Sequence, residues 1–268
     1  MKGSYSMFSH EERCRYNRNQ LAEVICQFRF PTILAIGARE PVDFQEAIRG
    51  VFPNYLLRQD RLPAKVTAIP GQPPRVEQPN PIANHQFATA DGKYRINLSQ
   101  GFISLTCSSY TCWEDFARMM DRPLAAFIEI YKPAHFERVG LRYLNTISRR
   151  ELELEHLSWK ELIEPAYLGL LASEDIPETA FTRCTQDVDA ALPGGCRMKM
   201  HIGPGLIKRG QNTADKEVKM ILDLDVSMSG NVPVNLAAAS MQTLHTHAGS
   251  VFRGAITDTL HDAMEPQL

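Results

Sequence analysis

Residues 136–147 read FERVGLRYLNTI, from Phe136 to Ile147. Arg138, Gly140 and Arg142 occupy alternate positions. Val139, Leu141, Tyr143 and Asn145 occupy the positions between them. Successive side chains of a strand point to opposite faces. One face of this stretch is therefore basic and the other apolar, which predicts a half-buried strand of an antiparallel sheet. An asparagine on the apolar face must find hydrogen-bond partners or cost stability.

A second stretch repeats the pattern. Residues 21–30 read LAEVICQFRF. From Val24 onward, Val24, Cys26, Phe28 and Phe30 face one way, and Ile25, Gln27 and Arg29 the other. Pro31 ends the strand. The strings FRFPTI (28–33) and LRYLNTI (141–147) echo each other.

Similar elements follow each of these strands. Pro41 opens VDFQEAIRGVF, an amphipathic helix with Phe44, Ile48 and Val51 on one face, which Pro53 closes. Residues 56–84 hold Pro63, Pro70, Pro73, Pro74, Pro79 and Pro81 and predict an irregular loop or an extended pair with long connections. Residues 86–108 predict a three-stranded meander, with turns at Asp91-Gly92 and Gln100-Gly101. Trp113, Phe116, Met120, Leu124, Phe127 and Tyr131 then recur at helical spacing. Thr111 and Glu114 suggest a capping box, and Pro123 suggests a kink.

After residue 147 the order repeats. Residues 159–171 predict a helix capped by Ser158. Phe181–Val188, Cys196–Ile202 and Val218–Met228 predict strands, with turns at Gly194-Gly195, Gly203 to Gly205 and Gly210. Val234 to Met264 predicts one long helix.

The expected fold is α+β: internally duplicated β-α-β(3-4)-α halves, an antiparallel sheet and long helices on one face. The expected organisation is a polar tail over 1–20, a first half over 21–132 and a second over 133–268, sharing one sheet. Saddle-shaped proteins of the TATA-binding type show a comparable doubling, an analogy of pattern that carries no function.

Composition bounds the function classes. The chain has 268 residues, 44% hydrophobic and 22% charged, with mean hydropathy −0.26. That profile excludes collagen, bulk disorder and a disulfide scaffold. The 29 basic and 31 acidic residues leave a net charge of −2, so nucleic acid is not the favoured partner. The six cysteines form no C-x-x-C pair and read as reduced, mostly buried thiols. The polar N-terminus shows no signal peptide, and no apolar run is long enough for a membrane span. A cytoplasmic location is expected.

Several motifs resemble a known family. Asn19-Gln20-Leu21-Ala22-Glu23-Val24-Ile25-Cys26-Gln27-Phe28-Arg29-Phe30 is similar to the N-P-L-x-E-V-x-x-Q-L-R-F opening of a sporadically distributed bacterial family of about this length. Phe52-Pro53, Trp113-Glu114-Asp115-Phe116, the R-x-G-L-R-Y-x-N string of residues 138–145, Leu244-His245, Ile256-Thr257-Asp258 and His261 extend the resemblance over most of the chain. Gln20 stands where the family has proline, which loosens the approach to the first strand. The family has no established activity, so the resemblance implies a fold and little else.

Candidate sites follow from the chemistry. Arg29, Arg138 and Arg142 could build an anion or carboxylate site, since guanidinium forks suit planar oxyanions. Asn145 joins them as a candidate binding residue. The simpler reading pairs these arginines with acids on the sheet surface. Asp223 and Asp225, two apart in ILDLDVS, share a face and could hold Mg²⁺, but no phosphate-binding glycine loop accompanies them. His245 borders the apolar stripe of the last helix, and His247 and His261 lie too far apart along it to share a metal. Asp258, one turn before His261, could orient its imidazole. Basic stretches occur at 137–150 and at 197–210, the latter with Arg197, Lys199, Lys208 and Arg209. Residues 151–178, with eight acids and one lysine, could neutralise them.

No catalytic set converges, and no metal or cofactor is expected. The expected function is a non-enzymatic binding protein that recognises a partner protein, with a homodimer left open. The alternatives are a metal-dependent hydrolase or nuclease using Asp223 and Asp225, or nucleic-acid binding through the basic stretches.

Overall fold

A computed structural model describes residues 9, 14–61, 63–67, 75–207 and 216–267. Most of the polar tail, Pro70, Pro73, Pro74, Lys208, Arg209 and Gly210 lie outside the described residues. The fold is α+β and centres on one nine-stranded antiparallel sheet. Its strands are β1 (Leu21–Arg29), β2 (Asn54–Asp60), β3 (Ile82–Ala88), β4 (Tyr94–Ser99), β5 (Phe102–Cys107), β6 (Phe136–Ile147), β7 (Gln186–Leu192), β8 (Cys196–Gly205) and β9 (Lys219–Val232). The spatial order is β7-β8-β9-β6-β1-β5-β4-β3-β2. The two alternating stretches, β1 and β6, therefore pair at the centre, with Phe28 opposite Val139 and Arg29 opposite Arg138.

The α-helices are α1 (Leu34–Ala38), α2 (Val42–Ile48), α3 (Trp113–Tyr131), α4 (Trp159–Leu162), α5 (Pro165–Leu168), α6 (Ala237–Ala255) and α7 (Asp258–Ala263). Phe127 of α3 packs on Phe30 just beyond β1, with ring centroids 4.6 Å apart. Phe28 of β1 packs on Phe136 of β6 at 4.9 Å. All four rings are buried, and truncating any one to alanine costs about 3–5 kcal/mol. Among the described residues no helix is long and apolar enough to cross a membrane.

The periodic strands and α3 match the sequence reading; the exceptions have local causes. The N-cap of α3 is Cys112, whose side chain makes no capping bond, so Thr111 and Glu114 form no capping box there. Pro123 sits inside α3 without ending it. The expected helix over 159–171 breaks into α4, α5 and a 3-10 turn (Gly169–Ala172). Ser158 and Glu161 do form a capping box at its start. The break falls at Ile163, which leaves the helix to bridge Ile256. The same bridge splits the expected terminal helix into α6 and α7. The Glu164 amide bonds the Ala255 carbonyl at 2.9 Å, and the Thr257 amide bonds the Leu162 carbonyl at 3.0 Å. Thr257 then caps α7 by accepting from the Leu260 amide. The strand expected over 181–188 begins at Gln186, and the proline-rich stretch supplies β2 and a short pair, Lys65–Thr67 with Arg75–Glu77.

Gln20 does not loosen the start of β1. Its Oε1 accepts from the buried Ser148 amide at 2.9 Å, and its Nε2 donates to the Arg18 carbonyl at 3.2 Å. Asn19 Nδ2 donates to the Tyr110 carbonyl at 2.9 Å, and Asn19 Oδ1 accepts from the Leu21 amide at 3.0 Å. Together they tie the leading segment to the far end of β6 and to the loop before α3.

Candidate functional site

The sheet places Arg29, Arg138 and Arg142 on one face, as their spacing requires. Arg138 and Arg142 lie on β6, and Arg29 ends β1 opposite Arg138. β9 runs beside β6 with Asp225 opposite Arg142. Arg142 grips Asp223 side-on: Nε donates to Oδ1 at 2.6 Å and Nη2 to Oδ2 at 2.5 Å. Arg138 sits opposite Ser229, so it must reach forward along β6 to meet Asp225. It does so over Gly140, and its Nη2 lies 2.7 and 2.8 Å from the two Asp225 oxygens. The Asp223 bond is also the leading cause that raises the Arg142 pKa above its ordinary value.

The outer strands continue this arrangement. On β8, Arg197 bonds Asp189 of β7 at 2.9 Å, Lys199 lies 3.9 Å from the same carboxylate, and His201 Nδ1 lies 2.8 Å from Asp187. Three aspartates (189, 223, 225) thus meet Arg138, Arg142, Arg197 and Lys199, and Asp187 meets His201, all on one face. Two of the three arginines expected to bind an external carboxylate, Arg138 and Arg142, hold carboxylates of the chain itself. Asp223 and Asp225 are correspondingly engaged. Among the described residues no group of three His, Cys, Asp or Glu is placed to hold a metal ion.

Described residues of the basic stretches are likewise matched. Arg149 pairs with Glu178 at 2.9 Å and stacks on Trp159 at 4.3 Å. Arg150 pairs with Glu155 at 3.6 Å, as the acidic segment's position after β6 suggested, and Lys219, outside both basic stretches, pairs with Glu151 at 3.3 Å. Arg29 is exposed and, among the described residues, has no ion-pair partner.

Asn145 stands apart from the three arginines. The alternation that puts them on one face puts Asn145 on the other, where it is 4% exposed and donates to the Leu222 carbonyl at 3.3 Å. That face also carries Tyr143, whose hydroxyl lies 2.8 Å from His245 Nδ1 of α6. His245 is a buried, satisfied histidine, as the apolar stripe of α6 suggested. Asn145, Tyr143 and His245 border a cavity of about 400 Å³ between the start of α3, α6 and the segment preceding β1. Its walls come from three distant parts of the chain, so no local signal announced it. His261 is paired with Tyr16, not Asp258: its Nδ1 lies 2.8 Å from the Tyr16 hydroxyl, while Asp258 takes Arg253 at 2.7 Å.

All six cysteines are free. Burial pushes the Cys26 thiol up to about 12, which removes it as a nucleophile near neutral pH.

The two edges of the sheet differ. β7 alternates Asp187, Asp189 and Ala191 outward, and inward- or edge-placed charge discourages strand addition. β2 reads NYLLRQD and is exposed along its whole length. Tyr55, Leu56 and Leu57 are 38%, 53% and 42% exposed. Among the described residues β2 pairs only with β3. No protein-family model matches the chain, and no curated protein matches it.

Proposed function

We propose that the protein is a non-enzymatic binding protein that recognises a partner protein through the outer edge of β2. The observation that carries this reading is the exposed apolar run Tyr55-Leu56-Leu57 on an edge strand. An extended segment of a partner can add to such an edge by backbone hydrogen bonds and seat side chains against the flanking apolar groups. Val51, just before β2, and Leu34 and Val42 of the first two helices are exposed as well. Six free thiols and a face of internally paired charges support a cytoplasmic, non-catalytic role.

The same reading treats the chain as an internal duplication and as a member of the bacterial family it resembles. Strand order supports the duplication. Outward from the central β1–β6 pair, each half runs first strand, last strand, then the strands before it: β1-β5-β4-β3 and β6-β9-β8-β7. Contacts of Phe127 with Phe30 and of His245 with Tyr143 support long helices on one shared face.

A photo-crosslinking residue at position 57 in the native host tests the docking edge. A discrete adduct with one protein, absent when the crosslinker sits at position 189 on the opposite edge, is the expected result. A monomeric chain that yields no discrete adduct at position 57 overturns it.

A further inference from the structure

The cavity beneath α6 has the walls of a ligand site. Its volume of about 400 Å³ lies in the range of small-molecule pockets, roughly 300–1,000 Å³. Trp113 and His245 form a stacked pair with centroids 4.2 Å apart and planes 6° from parallel. The pair is held from both ends. Trp113 Nε1 donates to Gln242 Oε1 at 2.7 Å, and His245 Nδ1 lies 2.8 Å from the Tyr143 hydroxyl. Tyr110 and Phe252 add further aromatic wall. Rings in fixed orientations therefore form one part of the wall, beside polar and charged residues such as Glu114 and Arg253.

Two further observations point to an occupant. Asn145 is nine-tenths buried, lines the cavity and uses Nδ2 on the Leu222 carbonyl. Its Oδ1 is bonded by no described residue. Gly249 lies inside α6 and also lines the cavity. A Cβ there would meet no described atom within 4 Å. Glycine is the poorest helix former after proline, and packing does not demand it here. The open volume beside α6 is what a side chain at 249 would fill.

We propose that this cavity binds a planar aromatic or heteroaromatic molecule that donates an N–H or O–H hydrogen bond to Asn145 Oδ1. The rings of the wall stack on its faces, and the buried acceptor selects its edge. This site lies on the helix side of the sheet and is independent of the β2 edge.

Calorimetry on the full chain tests it with indole, which is planar and carries an N–H donor, and with 1-methylindole, which keeps the shape and lacks the donor. Indole is expected to bind saturably, with 1-methylindole about five- to tenfold weaker. In Gly249→Phe, binding of both is expected to disappear while the melting temperature holds or rises. In Asn145→Leu, the two probes should bind alike. No saturable heat with indole on the folded wild-type chain overturns the proposal. So does unchanged indole binding in Gly249→Phe. Equal binding of both probes to the wild type overturns the assigned role of Asn145. If Asn145→Leu fails to fold, the Gly249→Phe variant and the probe pair still decide.

Discussion

The guanidinium of Arg138 lies directly over Gly140, two residues along the same strand. A Cβ at position 140 would overlap Arg138 Nη1 and stand 2.7 Å from Cζ. The bare backbone of Gly140 is the channel through which Arg138 reaches Asp225.

Gly140→Ala should therefore push Arg138 off Asp225. The pair is partly exposed, with side chains 25% and 32% accessible, so its loss is worth about 0.5–1 kcal/mol. In an Arg138→Ala background the three atoms nearest that Cβ are gone, and the same change should be neutral, or stabilising by about 0.5 kcal/mol, because alanine loses less backbone freedom than glycine. Urea unfolding of the four proteins of this cycle checks it. Additive effects would show that Gly140 and Arg138 are not coupled.

Gln20→Pro should destabilise. It deletes the acceptor of the Ser148 amide. Ser148 is fully buried, and an orphaned buried donor costs about 1–3 kcal/mol. The denaturant midpoint reports the loss. A midpoint equal to wild type would mean the Ser148 amide finds another acceptor.

His85 should make the fold acid-sensitive. It is buried, with the Tyr55 hydroxyl 3.0 Å from Nδ1 and the Ile36 carbonyl 3.3 Å from Nε2. The neutral ring protonated at Nε2 satisfies both contacts. Burial, the largest cause, holds its pKa below the ordinary 6.5, against smaller raising effects of the Ile36 carbonyl and Glu40. The unfolded chain takes up the proton more readily than the folded one. This contribution to stability is complete above about pH 6.5 and is lost as pH falls from there toward the folded pKa. Comparing unfolding midpoints at about pH 7.5 and about pH 5.5, His85→Gln should lose less stability than wild type. An equal loss would place the sensitivity elsewhere.

Asp223 and Asp225 should bind no divalent metal. Each carboxylate already accepts from a guanidinium, and an incoming Mg²⁺ would have to displace both arginines. Titration with magnesium should give no saturable heat, and about 10 mM should leave the melting temperature unchanged, since a ligand of the folded state would raise it. A metal-dependent rise that disappears in Asp225→Ala would restore the hydrolase reading.

Period-2 alternation was enough to find β1 and β6 and to sort their side chains by face. It placed Arg138 with Arg142 and Asn145 with Tyr143. Helical spacing found α3, with its N-cap placed one residue early. Local patterns failed where distant segments compete for the backbone. The apolar stripe runs unbroken through Ile256, yet Ile256 is extended because it bridges Ile163. The charged stretches looked basic because their counter-ions lie on other strands: Asp225 is 87 residues from Arg138. The cavity was invisible for the same reason, with Asn145, Trp113 and Gln242 meeting only after the sheet forms.

Nine strands share only two free edges because β1 and β6 hydrogen-bond to each other. Four residues, 132–135, separate α3 from β6. That short connection gives each seam strand a mate at very high effective concentration. A chain cut at this connection would leave each fragment with a raw central strand and no tethered mate. Antiparallel pairing about a two-fold axis is self-complementary, so each fragment's readiest substitute would be a second copy of itself. Continuity of the chain is thus what converts an adhesive strand into the middle of a closed molecule.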